Sequence, residues 1–552
     1  MTTYRPIATE ALPEECSVAV IGSGFGASIA AARVAAATDD VLVLERGREW
    51  LPDDFPADFA DVRRAVRSRR NPLGLFDLQL GADVDRLTAN GLGGGSLIYA
   101  NVLLEARPEV FDAQWPSGID ADELRPYADR VRAVLRPQVE DRHTPKAEAL
   151  AHLGRLHGRG PERLPIAVKL HGEPGPNAAG VHQPTCTRCG NCVTGCRVGA
   201  KTTMWMSYLP MARAAGARIV TRTEVTRVVP GSGRRRWEVH GLRHPASGRR
   251  RTPMPFVVHA DVVVLGAGAI GTTGILLRSA DAGLATSAQL GTRFSGNADS
   301  LSVSYNAAGR RSGTGARDAA APEVAIGPTI TSTLDLRTGP DGYLVQDGAL
   351  PYPVAEALRR VLGLRFALSA DSRVWCDIRP GGCPPGCGAL EHSQVWLAMG
   401  TDSSEGRVVL DGRGQPRIVW PEAGAQAVYA RQLADLRVLS DGSSARFVGN
   451  PRRALLQRGV PAATPITVHP LGGAAMAEDV DHGVCDPDGR VFQADGDVHP
   501  GLYVVDGALC PTSTGANPSL TIASLAERAV ERLVERDLPT LVGSPLRTGG
   551  TR

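Results

Sequence analysis

The sequence predicts an α/β protein whose main parallel sheet is assembled from segments far apart in the chain. Three stretches carry this prediction. Residues 17–45 run strand, glycine turn, helix, strand; residues 261–279 repeat the strand, glycine turn and helix; residues 499–533 read as strand, loop and long helix. At 552 residues the chain exceeds the length at which one hydrophobic core stops growing, so two or more domains are expected.

The first stretch opens with "SVAVI" (17–21), a buried strand by composition, which passes directly into Gly22-Ser-Gly24-Phe-Gly26-Ala27. A helical pattern follows, and "DVLVLE" forms a second strand ending at Glu45. This is the βαβ arrangement that holds a dinucleotide. Gly22 makes the tight turn, Gly24 lets backbone N–H groups approach a pyrophosphate, Ala27 permits close helix–strand packing, and Glu45 is placed for a ribose. The turn alone does not separate NAD from FAD.

"NGLGGGSLIYANVLL" (90–104) concentrates Gly91, Gly93, Gly94 and Gly95 in one loop, a device for laying backbone against a flat ring. In the last stretch, Asp506 follows the strand, and Asn517 and Pro518 are expected at the N-cap and first helical position of the C-terminal helix.

"CTRCGNCVTGCRVGAK" (186–201) sets Cys186, Cys189, Cys192 and Cys196 at C-x2-C-x2-C-x3-C, a ferredoxin-type run. It follows a Pro- and Gly-rich stretch and precedes a helix and strand, so it forms a loop approaching the dinucleotide domain. An iron–sulfur cluster, a zinc ion and plain buried or redox-labile thiols all remain open readings. Arg197 stands where ferredoxins carry proline, and no second equivalent run exists. Cys376, Cys383 and Cys387 match no known cluster spacing and remain candidates to lend a ligand.

Net charge is +3, and 61 basic residues are scattered among 58 acids, with Lys146, Lys169 and Lys201 the only lysines. Such a surface reads as solvated faces and ion pairs, with no nucleic-acid stripe. No stretch reaches the ~18 unbroken apolar residues of a membrane span. The N-terminal residues carry no export-signal pattern, so a cytoplasmic protein is expected, with cysteines mostly as thiols or metal ligands.

The chain resembles the glucose–methanol–choline (GMC) oxidoreductases, and most closely their cholesterol oxidase-like bacterial branch. The resemblance rests on "VIGSGFGASIAAARVA", "GLGGGSLIYANVLLEARPEVFDAQWP", "GCRVGAKTTMWMSYLPMARAAGARI", "MGTDSSEGRVVLDGRG", "VHPLGGAAM" and "VVDGALCPTSTGANPSLTIASLAERAVERL", in that order. It implies a Rossmann-like, discontinuous FAD-binding domain over 1–105, 200–298 and 462–540. It further implies a substrate domain of antiparallel sheet plus helices over 299–461, with 106–199 as a connecting or lid region bearing the cysteine loop. Against the cofactor it places Gly22, Gly24, Gly26, Ala27, Glu45, Gly93, Gly94, Gly95, Ser96, Asn101, Val225, Asp506 and Pro518. The absence of a histidine in the loop after Gly95 leans toward non-covalent FAD.

The same resemblance implies oxidation of an alcohol, CH–OH to carbonyl, by hydride transfer to flavin N5. The expected substrate is bulky and apolar, sterol-like or a lipophilic natural product, with O2 or an electron carrier as acceptor. A redox-neutral lyase or isomerase on the same FAD scaffold is the alternative. His469 and Asn517 match the family's catalytic pair: an imidazole to take the hydroxyl proton and an amide to orient the oxygen. Glu391, upstream of "MGTDSSEGR", is a third catalytic candidate lying one residue off the family spacing. Tyr99 and Asn101 replace a more glycine-rich stretch of the best-known cholesterol oxidases.

Overall fold

The computed structural model describes residues 4–112, 114–246, 252–309, 314–317, 326–367, 371–379, 387–450 and 464–543. Cys383 lies outside them. Two sheets organise the chain.

The first has eight strands. Glu15–Ile21 lies parallel to Val41–Leu44 on one side and to the end of Met254–Leu265 on the other. Arg218–Val220 and Val498–Val504 extend this parallel core outward. The remaining strands form an antiparallel meander, Thr223–Pro230 and Trp237–Arg243 against the start of Met254–Leu265, and an edge hairpin from Arg490–Phe492. Parallel strands are covered on both faces, which is why they read as unbroken apolar runs. Val18 and Val20 point to one face, packing with Ile29 and Val34 of helix Phe25–Ala37 and with Leu520 and Val530 of the C-terminal helix. Ala19 and Ile21 point to the other, toward the meander and helix Ala269–Asp281.

The second sheet has six antiparallel strands, in the order Arg446–Val448, Ser300–Tyr305, Gln394–Gly400, Tyr343–Gly348, Ser332–Leu336 and Glu162–Arg163. Tyr343 and Val345 face helices Pro145–Leu156 and Ala427–Gly442. The alternate residue Leu344, with Leu397 and Met399, packs on the other face against Val102, Ala200, Ala516, Cys186 and Cys196. Period-two alternation therefore gives this sheet a helix-covered face and a face turned to the glycine-rich and cysteine loops.

Segment 106–199 is shared out between the two bodies. Glu162–Arg163 is an edge strand of the second sheet. Helix Ala121–Leu135 packs its Ala128, Val131 and Leu135 into the core of the first. Among the described residues no helix is long and apolar enough to cross a membrane.

Candidate active site

The first glycine turn is built by close backbone approach. Gly22 adopts φ +96°, and a Cβ there would lie 2.3 Å from the Gly266 carbonyl oxygen. At Gly26 a Cβ would stand 1.7 Å from the Val505 carbonyl oxygen, so the helix passes too near the C-terminal strand for any side chain. Ala27 is fully buried, its methyl against Gly266. Gly24 caps the helix with open space on the side a Cβ would occupy, where an anion could approach the helix N-terminus.

Glu45 is 6% exposed and accepts from Ser23 Oγ (2.5 Å) and Gly47 N–H (2.6 Å); burial raises its pKa. Gly93 N–H donates to the same Ser23 hydroxyl (2.9 Å), locking the dinucleotide turn to the second glycine loop. Gly94, at φ +54°, sits against Gly24 Cα, whereas Gly95 faces open space. Ser96 is committed to the protein: its hydroxyl donates to Gly93 O and accepts from Met204 N–H. Asp506 likewise accepts from Gly268 N–H, Thr272 Oγ1 and Ala508 N–H, and burial pushes its pKa up to about 6. Val225 is buried at a bulge in the meander.

Asn101 is different. It is fully buried at φ +71°, and among the described residues neither its side-chain oxygen nor its side-chain nitrogen has a hydrogen-bond partner. Leaving a buried amide unpaired costs about 1–3 kcal/mol. Together with the open space at Gly24 and Gly95, this orphaned amide fits a polar cofactor lying on the 93–101 loop.

His469 and Asn517, the expected catalytic pair, are organised by segment 295–299, "SGNAD". Asp299 is fully buried and its Oδ1 lies 2.9 Å from His469 Nδ1. Its Oδ2 accepts from Val468 N–H (2.9 Å), His469 N–H (3.0 Å) and Thr467 Oγ1 (3.3 Å). With Nδ1–H donating to Asp299, the neutral ring presents Nε2 as an acceptor. Two residues earlier, Asn297 Oδ1 accepts from the Thr514 and Gly515 N–H groups, and its Nδ2 donates to Ala516 O. That fixes the loop leading to Asn517. Asn297 and Ala298 both hold left-handed backbone, tied down because Gly296 and Ala298 N–H donate to Asp402.

Asn517 departs from the expected helix cap. The C-terminal helix is Ser519–Arg532, its first N–H bond runs from Ile522 to Pro518 O, and no side chain caps it. The Asn517 amide is instead paired with Gln346, accepting from Nε2 (2.6 Å) and donating to Oε1 (3.3 Å). Gln346 shares the strand face of Leu344 and so reaches toward this site. Glu391 joins neither residue. On the short turn Ala389–His392 its carboxylate accepts from Thr314 (2.6 Å) and Arg359 (2.9 Å).

Comparison with known proteins places this geometry. Models of the GMC oxidoreductase family match residues 81–295 and 423–526. A cholesterol oxidase of Mycobacterium tuberculosis is 30% identical, with 93% of this chain and 90% of the relative covered. The chain belongs to the GMC oxidoreductase family. It is accordingly a flavin-dependent oxidoreductase. The paromamine 6'-oxidase of Streptomyces fradiae is 26% identical over 93% of this chain and 90% of that protein. A fungal aryl-alcohol oxidase structure shares the fold at a TM-score of 0.59 and 16% identity, covering 95% of this chain and 99% of that one.

In this GMC oxidoreductase the four clustered cysteines line one cavity, together with Lys201. Among the described residues no group of three or more His, Cys, Asp or Glu is placed to hold a metal ion. Cys376 is bonded to Cys387, so the expectation that these two were free to lend a ligand fails. Sequence reasoning missed Asp299 and Gln346. Asp299 is the first residue of the expected substrate domain, and its Gly-Asn-Ala-Asp turn is the kind of local signal that pins loops. Gln346 carries no local signal, because its partner is 171 residues away.

Proposed function

We propose that this protein oxidises an alcohol to a carbonyl on a bulky apolar substrate, sterol-like or otherwise lipophilic, with FAD as the hydride acceptor. The observation that carries the reading is the Asp299–His469 contact, which commits Nδ1 and leaves Nε2 to accept a proton. FAD, when bound, supplies a two-electron acceptor for the carbinol hydride. His469 takes the hydroxyl proton at Nε2, and the buried Asp299 carboxylate stabilises the charge that forms on the ring. Asn517, whose amide plane is set by Gln346, keeps a second Nδ2–H for the substrate oxygen.

The residues proposed to hold FAD are Gly22, Gly24, Gly26 and Ala27 at the pyrophosphate, Glu45 at the ribose, and the loop Gly93, Gly94, Gly95, Ser96 and Asn101 at the ring. Val225, Asp506 and Pro518 complete the set. The apolar substrate is supported by the likeness to a cholesterol oxidase. O2 or an electron carrier then reoxidises the flavin.

Anaerobic mixing with a panel of apolar alcohols, cholesterol included, tests this. Bleaching of the flavin band is expected. Turnover with the band unchanged overturns the reading in favour of a redox-neutral lyase or isomerase. The His469→Ala variant is expected to slow flavin reduction by roughly 10²–10⁴-fold; an unchanged rate removes His469 from the chemistry.

A further inference from the structure

We propose that the cavity lined by Cys186, Cys189, Cys192 and Cys196 is the binding site of a multi-iron iron–sulfur cluster. Four separate observations converge on it. First, all four sulfur-bearing residues of the ferredoxin-type run border one and the same cavity. A chain of eleven residues does not bring four side chains inward by default. It does so here through left-handed backbone at Arg188 (φ +62°), Gly190 (+78°) and Gly195 (+99°), interleaved with the cysteines. Gly195 in addition sits against Phe55, where a Cβ would stand 2.0 Å from a ring carbon.

Second, the sulfurs are solvated by the protein as cluster ligands are. Arg188 N–H donates to Cys186 Sγ at 3.3 Å. Cys189 receives the Asn191 N–H and the Thr187 side chain, and Cys196 receives the Ala200 and Lys201 N–H groups. Hydrogen bonds to the sulfurs are among the levers that set a cluster's potential.

Third, the site carries a compensating cation. Lys201 is 1% exposed, and its ammonium donates to the carbonyls of Cys192 (2.9 Å), Leu97 (3.0 Å) and Tyr99 (2.9 Å). That ammonium lies 4.8 Å from the centre of the Tyr99 ring, and a buried charge held by neutral groups is costly. A cluster with four thiolate ligands is anionic and supplies the missing counter-charge. The same ammonium ties the cysteine loop to the 93–101 loop, so the cavity adjoins the flavin side of the molecule.

Fourth, the arrangement fits a cluster better than a single ion. One zinc ion draws its thiolates onto a sphere of about 2.3 Å radius, whereas the four cysteines here line a cavity. A cluster interposes its own iron and sulfide atoms, so its cysteines surround a space and do not meet at a point.

The proposal is independent of the substrate reading above, and the test separates them. Full-length protein purified anaerobically is assayed for iron, acid-labile sulfide, zinc and flavin, with low-temperature EPR after dithionite reduction. Iron and labile sulfide in near-equal amounts, at three to four of each per chain, with a reduced-cluster EPR signal, are the expected result. Flavin-loaded protein without iron and sulfide overturns the proposal while leaving alcohol oxidation intact. Zinc without sulfide overturns it as well. Cys189→Ser and Cys196→Ser should each lose most of the iron, with Cys485→Ser, buried elsewhere, as the control. Full iron and sulfide in both cysteine-run variants overturns the ligand assignment, and flavin content reports whether each variant has folded.

Discussion

Replacing Asp299 by asparagine should abolish the proton acceptor without emptying the site. Among the described residues Oδ2 of Asp299 faces three donors, Val468 N–H, His469 N–H and Thr467 Oγ1, whereas Oδ1 faces His469 Nδ1 alone. An amide has one oxygen, and the three donors draw it to the Oδ2 position. Its NH2 group then points at Nδ1 and must donate. His469 is driven into the other tautomer, with its proton on Nε2, where the alcohol hydroxyl needs an acceptor. The same change at a histidine-orienting carboxylate acts through the tautomer in hydrolytic triads. Loss of the base should slow flavin reduction by roughly 10²–10⁴-fold, or about 2.7–5.5 kcal/mol at 1.36 kcal/mol per decade. The backbone N–H groups keep an oxygen acceptor, so flavin occupancy should stay near wild type. Anaerobic stopped-flow reduction with an alcohol the wild-type enzyme oxidises is the assay. A rate within about threefold of wild type, at full flavin occupancy, refutes the assignment of Nε2 as the acceptor.

Gln346→Ala frees the Asn517 amide to rotate and should lower the flavin-reduction rate about tenfold, the cost of one to two hydrogen bonds; an unaltered rate means that Asn517 is held by other contacts. Glu391→Gln should leave flavin reduction within twofold. Its half-buried pairing with Arg359 is worth about 0–1 kcal/mol to stability, and a hundredfold fall in rate would return Glu391 to the chemistry. Asp506 offers a pH test. Burial raises its pKa from 3.8 to about 6, so between those values the folded chain keeps a proton that the unfolded chain releases. Stability from this group is present below pH 4 and lost as pH rises through 6, by of order 3 kcal/mol. Thermal melts of the cofactor-free protein should show the wild type losing stability relative to Asp506→Asn over that window; parallel profiles would contradict it.

Much of the fold was legible because its signals are local. A parallel strand covered on both faces must be apolar throughout, and a turn at φ +96° excludes a side chain, so "SVAVI" followed by Gly22 declares itself within a few residues. His469 and Asn517 were legible through motif order. Their partners were not. Asp299 reaches His469 across 170 residues, and Gln346 reaches Asn517 across 171. No periodicity encodes such a pairing. The cysteine run shows the same division. Its spacing put four cysteines in one loop, yet only the folded chain turned them onto a single cavity and set the Lys201 ammonium between that loop and the 93–101 loop. The sequence by itself determined the elements and the chemistry-bearing side chains, since these depend on backbone sterics and on neighbours a few residues away. Tertiary structure decided which proton His469 carries and which contact Asn517 makes. Those depend on hydrogen bonds closed between segments some 170 residues apart, and such bonds exist only once the chain has packed.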